Sequence, residues 1–252
     1  MNKLEPTTNI ITELGLRLDP REGGSYGEAE VRPETCLPAT SVVRASVLAT
    51  WADVITGLLA ALVSPRIPLT ADLEVQVQNR AEVGTTLAVE AEAVKMGRTL
   101  SLFEARFFDA ESRRPVAFSY VSFVNSPDPA HVFAPGAASY PFPQRRLAIP
   151  LADRVQSRTL EPGTIEMPRL LDGLNATGAI QGGLVAFAAE QAALSLVDAP
   201  TYVDSLTIRY LRPFMTGPAR AVATGAGGAV DVRLTDAGTG KLAAVATVRR
   251  SQ

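Results

Sequence analysis

Histidine and cysteine are nearly missing from this sequence: its 252 residues hold one of each, His131 and Cys36. One histidine excludes a zinc centre built on two or three imidazoles, and one cysteine excludes a thiolate cage. A single cysteine also excludes an intrachain disulfide, which fits a reducing, cytoplasmic setting. Excess positive charge is missing as well. Lys and Arg number 24 against 26 Asp and Glu, for a net charge of −2, so no global basic field draws the chain to nucleic acid or anionic lipid. The start, MNKLEPTTNIITE, lacks the apolar core of a secretory signal. What remains is 46% hydrophobic and 20% charged, the composition of a globular protein. Its length admits one large domain or two small ones.

Ala45 to Val63, ASVLATWADVITGLLAALV, is long and apolar enough to resemble a membrane span. Its single charge, Asp53, stands at the middle, where insertion costs roughly 3 kcal/mol. Arg44 precedes it and Pro65 and Pro68 follow. These features predict a helix buried inside protein, with no membrane involved.

The chain repeats itself. Arg44-Ala-Ser-Val-Leu-Ala-Thr-Trp-Ala-Asp53 lies over Gln181-Gly-Gly-Leu-Val-Ala-Phe-Ala-Ala-Glu190, 137 residues later. Leu73-Glu-Val-Gln-Val lies over Leu206-Thr-Ile-Arg-Tyr at an offset of 133, and Asp109 over Asp236 at 127. The falling offset predicts a second copy trimmed in its loops, without the hairpin tip near Lys95–Arg98. Each copy reads as a lead-in, one apolar helix and then strands. Period-2 alternation marks strands at Leu73–Val77, Leu87–Ala93, Leu100–Leu102 and Val116–Tyr120, and again at Leu206–Tyr210 and Val230–Leu234. Asn125–Gln144 holds five prolines and little periodicity, and reads as a linker that includes a solvated His131. The expected division is a first unit at 1–124, a linker at 125–144 and a second unit at 145–252. The class is α+β, each helix wrapped by an antiparallel sheet, with the two units packed as a pseudo-twofold pair.

A motif sits on this repeat. Asn175 is followed after six residues by Gln181-Gly182-Gly183, and Glu190 lies nine residues past Gln181. The first copy has Pro38, Arg44-Ala45-Ser46 and Asp53 at the same spacing, and Thr70 seventeen residues past the acid, where copy two has Val203. With the stretch Leu48-Ala-Thr-Trp-Ala-Asp53-Val-Ile-Thr-Gly57, this resembles the hotdog acyl-CoA thioesterases of the phenylacetyl-CoA and 4-hydroxybenzoyl-CoA types, as two fused units. Those proteins carry histidine where Gln181 stands here. The resemblance implies a site between units, one supplying Asn and a glycine N–H, the other an acid and a hydroxyl. Carried over, it predicts one working site of Asp53, Thr70, Asn175, Gln181 and Gly182, and one vestigial site around Arg44 and Glu190. It implies acyl-CoA as substrate and no cofactor or metal.

The chemistry suits those residues. Gly182 opens a helix, so its N–H is an orphan donor at the positive end of the dipole. The Asn175 amide offers a second donor. Asp53 would serve as general base or as nucleophile, with Thr70 orienting it or the water. Plainer roles stand beside these: Asp53 as an ion-pair partner, Gly182-Gly183 as a close-packing pair, Asn175 as a turn residue. Gly183, Trp51 and Arg98 are candidate substrate contacts, Arg98 for a coenzyme A phosphate; solvated arginine and ordinary core are the alternatives. Arg44 is expected to meet Glu190 across the units. Hotdog dehydratases use a catalytic histidine that no helix here offers. A non-catalytic acyl-CoA-binding or scaffold protein is the rival class, and pairing of two tandem chains is left open.

Overall fold

The computed structural model describes residues 9–21, 24–64, 66–133, 145–225 and 227–251. The first half runs α1 (Ile10–Glu13), β1 (Arg17–Arg21), β2 (Gly24–Glu30), α2 (Ala45–Val63), β3 (Pro68–Val77), β4 (Thr86–Lys95), β5 (Ser101–Asp109) and β6 (Pro115–Asn125). The second runs α3 (Leu151–Arg154), β7 (Arg158–Glu161), β8 (Thr164–Met167), α4 (Gly182–Leu194), β9 (Tyr202–Tyr210), β10 (Ala219–Thr224), β11 (Ala229–Asp236) and β12 (Lys241–Ser251).

All twelve strands form one antiparallel sheet, in the order β1-β2-β4-β5-β6-β3-β9-β12-β11-β10-β8-β7. Read outward from the central β3–β9 pair, the two halves have the same order. Glu74 pairs with Thr207, its own repeat counterpart 133 residues on, and is flanked by Leu73 with Ile208 and Val75 with Leu206. The local twofold axis therefore passes through the Glu74–Thr207 pair. The offset found in the sequence is the register of the central seam.

Each half is a hotdog arrangement: a long helix against its own curled sheet. α2 is apolar on nearly every face because β2 to β6 and α4 cover it. Trp51, Leu48 and Ile55 are fully buried there, each contributing roughly 1.5–3 kcal/mol by leaving water. α4 is covered in the same way by β8 to β12. The two helices meet side by side, and Gly183 permits it: a Cβ there would lie 2.1 Å from Thr50 Oγ1 and 2.6 Å from Thr50 Cβ. The β10–β11 hairpin is shorter than β4–β5, with strands of six and eight residues against ten and nine, as the shrinking offset predicts.

Of the expected linker, the described part folds back on the first half. Ile67 N–H donates to the His131 carbonyl, Arg66 bridges to Val132, and the Ser126 hydroxyl lies 2.8 Å from His131 Nδ1. Linker positions 134–144 lie outside the described residues.

Candidate active site

Asp53 is the ninth residue of α2 and lies between β3 of its own half and the start of α4. Its carboxylate is buried at 8% exposure. Oδ1 accepts from the Thr70 hydroxyl at 2.7 Å, and Oδ2 accepts from Gln181 Nε2 at 2.7 Å. Thr70 comes from β3 in the same half; Gln181 comes from the other half. Burial pushes the Asp53 carboxyl up to about 6, against the two hydrogen bonds that pull it down, Thr70 the stronger. Near neutrality it is ionised, but within reach of a proton.

Gln181 is the N-cap of α4. Its Oε1 accepts from Gly183 N–H at 2.6 Å and Leu184 N–H at 3.3 Å, while its amide nitrogen holds Asp53. One side chain thus closes two helix donors and faces the acid with the opposite end. The Gly182 N–H, the first of the helix, has no acceptor among the described residues. A Cβ on Gly182 would lie 3.5 Å from Asp53 Oδ2 and 3.3 Å from the Tyr210 hydroxyl. Glycine keeps that space open.

Asn175 is held in its own loop. Its Oδ1 accepts from Thr177 N–H, the Thr177 hydroxyl and Ala179 N–H at 2.8 to 3.1 Å. The turn role is therefore present. These three donors also fix which end of the amide is oxygen, leaving Nδ2 without an acceptor among the described residues. No hydrogen bond joins Asn175 to Asp53, Thr70 or Gln181.

The three expected substrate contacts have surroundings of different kinds. Trp51 is core: it is 1% exposed and its indole donates to the Leu14 carbonyl. Its size and apolarity suit a pocket wall equally well in the sequence, but α2 turns it into its own sheet. Gly183 is a packing residue, with its N–H used by Gln181 and its Cα against Thr50. Arg98 is exposed on the β4–β5 tip and borders a cavity of about 290 Å³ with Ala60, Ser64, Met96 and Phe123. That cavity lies beside the end of α2, about 16 Å along the helix from Asp53 if measured to Ser64.

The second acid is fully committed. Glu190 accepts from Arg44 Nη1 at 3.0 Å, from the Ser46 hydroxyl at 2.6 Å and from Ser46 N–H at 3.1 Å. Arg44 is 3% exposed and lies over the Phe187 ring. The expected cross-unit pair is present. Tyr210, whose hydroxyl donates to the Gly182 carbonyl at 2.7 Å, escaped the sequence reasoning. Strand alternation accounts for it as one more inward apolar residue; the available signal was that its repeat counterpart is Val77.

Residues 42–116 match the family model of the thioesterase superfamily. Among solved structures, the chain is similar to the 12:0-ACP thioesterase from Umbellularia californica, with 11% identity and a TM-score of 0.64 over 92% of this chain and 99% of that one. It is also similar to an acyl-ACP thioesterase from Bacteroides thetaiotaomicron, with 8% identity and a TM-score of 0.63 over 91% and 98%. At these identities the likeness carries the fold, two hotdog units in one chain. No protein of curated function matches the sequence significantly.

Proposed function

We propose that this chain, a double-hotdog protein of the thioesterase superfamily, hydrolyses an acyl thioester at one composite site between its halves. The observation that carries this reading is Asp53: a buried carboxylate held by Thr70 from one half and Gln181 from the other, beside a Gly182 N–H with no acceptor among the described residues. The acyl group is carried on coenzyme A, or on an acyl carrier protein as the two similar structures are named for.

The thioester carbonyl oxygen sits on Gly182 N–H, with Asn175 Nδ2 as second donor. Negative charge develops there in the tetrahedral intermediate, and one well-aimed donor is worth roughly 3 kcal/mol. Asp53 takes a proton from water as the water oxygen attacks the carbonyl carbon. Collapse of the intermediate breaks the C–S bond, and the proton on Asp53 passes to the thiolate. A base near pKa 6 is well placed for both transfers at neutral pH. Glu190 takes no part, since Arg44 and Ser46 occupy it.

Purified protein tested on acyl-CoA and acyl-ACP panels, with thiol release followed by a colour reagent, should turn over at least one substrate. Ligand-induced melting shifts without thiol release would favour a binding protein instead.

A further inference from the structure

Tyr210 closes β9 with its phenol partly buried beside the start of α4. Its hydroxyl donates to the Gly182 carbonyl. The far side of that same peptide, the Gly183 N–H, is held by Gln181 Oε1. The Gly182–Gly183 peptide is thus fixed at both ends. The Gly182 N–H, in the preceding peptide, has no acceptor among the described residues. The hydroxyl, Asp53 Oδ2 and Gly182 border one space, 3.3 and 3.5 Å from where a glycine Cβ would stand.

The repeat separates what the fold needs from what the site has. Tyr210 corresponds to Val77 at the offset of 133 that the central seam obeys. The same strand position is therefore filled by valine in the half without the Gly-Gly turn. A hydroxyl occurs only where a glycine opens the helix beside Asp53. Burial, and then the Asp53 charge, push Tyr210 ionisation well above its ordinary value, so the phenol remains a donor at any working pH.

We propose that Tyr210 is a positioning residue for thioester hydrolysis: by clamping the Gly182 carbonyl it aims the Gly182 N–H at the acyl oxygen opposite Asp53. This rests on the thioesterase reading of the site. A donor must be fixed before charge develops if it is to favour the transition state over the bound substrate.

Tyr210→Phe keeps the ring and removes the clamp. Expected is a fall in kcat of roughly ten- to a hundredfold, with KM within about twofold because ground-state binding is spared. A non-hydrolysable thioether analogue of the substrate should bind wild type and variant alike. Amide hydrogen exchange at Gly182–Leu184 should quicken. Tyr210→Val, the residue of the repeat counterpart, should show the same split and serves if the phenylalanine variant misfolds. Wild-type kcat in either folded variant, or a loss lying wholly in KM, overturns the inference while leaving Asp53 as base. A wild-type protein that hydrolyses nothing overturns both.

Discussion

Arg44 and Glu190 form a solvent-sealed ion pair at the place that Gln181 and Asp53 hold in the other half. Arg44 and Gln181 each precede a central helix, and each reaches the acid on the opposite one. In one half the acid meets a cation and a serine, which fully engage it. In the other it meets only a neutral amide and a hydroxyl. A glutamine in one place and an arginine in the other separate an acid held by neutral donors from one that is ion-paired.

The acid limb of activity should lie near pH 6. Asp53 must be ionised to act as base, so kcat/KM should fall as pH drops through that value. Thr70→Val removes the stronger of the two bonds that hold the carboxyl down. The limb should then move upward, read from a pH–rate profile. A limb that stays in place would separate Thr70 from Asp53.

The same shift affects stability, with the opposite sign to an ion-paired carboxylate. Asp53 rises from 3.8 to about 6 on folding, so the stability linked to its protonation is complete below pH 3.8 and is lost as pH rises through 6. The loss is at most about 3 kcal/mol. Asp53→Asn cannot ionise. Its melting temperature relative to wild type should therefore be higher at pH 8 than at pH 4.

Breaking the locked pair should damage folding and not catalysis. Glu190→Gln leaves Arg44 buried with no counter-charge, which costs roughly 3–5 kcal/mol. Adding Arg44→Gln should restore much of that, measured by urea unfolding. The folded fraction of either variant should keep wild-type kcat.

Gly183→Ala should force the helices apart, at about 1–3 kcal/mol. Only Thr50→Gly removes the obstructing Cβ, so that double variant should recover part of the loss. Full recovery is not expected, since glycine within α2 costs about 1 kcal/mol.

Much of this fold was legible. The ends of α2 follow from an apolar run bounded by Arg44 and Pro65, and the offset of 133 is the seam register itself. β1, β2, β7, β8, β10 and β12 were not read as strands. The inward residues of β2 are Ser25, Gly27 and Ala29, and those of β10 are Ala219, Ala221 and Ala223. Neighbours crowd the inner face of β2: a Cβ on Gly27 would lie 2.9 Å from the Arg17 carbonyl oxygen of β1, 3.1 Å from Leu16 Cδ1 and 3.4 Å from Ile55 Cδ1 of α2. Strands that fit by being small carry no apolar alternation. In the candidate site, the family resemblance singled out Asp53, Thr70 and Gln181, and the structure joins the three by hydrogen bonds. Trp51 packs in the core and Gly183 against Thr50, and size and type alone do not say which way a helix turns its faces. Tyr210 acts through a backbone carbonyl, which no sequence motif records.

The role of Asp53 as base rather than nucleophile is open to a single-turnover experiment in ¹⁸O-labelled water. A base predicts label in the released acid. Label appearing on Asp53 would instead establish an acyl anhydride intermediate.

The decisive measurement compares thiol release by wild type, Asp53→Asn and Glu190→Gln at pH 8 on the best substrate of the panel. One working site built on Asp53 predicts a loss of roughly a hundredfold or more for Asp53→Asn, with the Glu190→Gln rate per folded molecule unchanged. Equal rates for wild type and Asp53→Asn, or a comparable loss in folded Glu190→Gln, would contradict it.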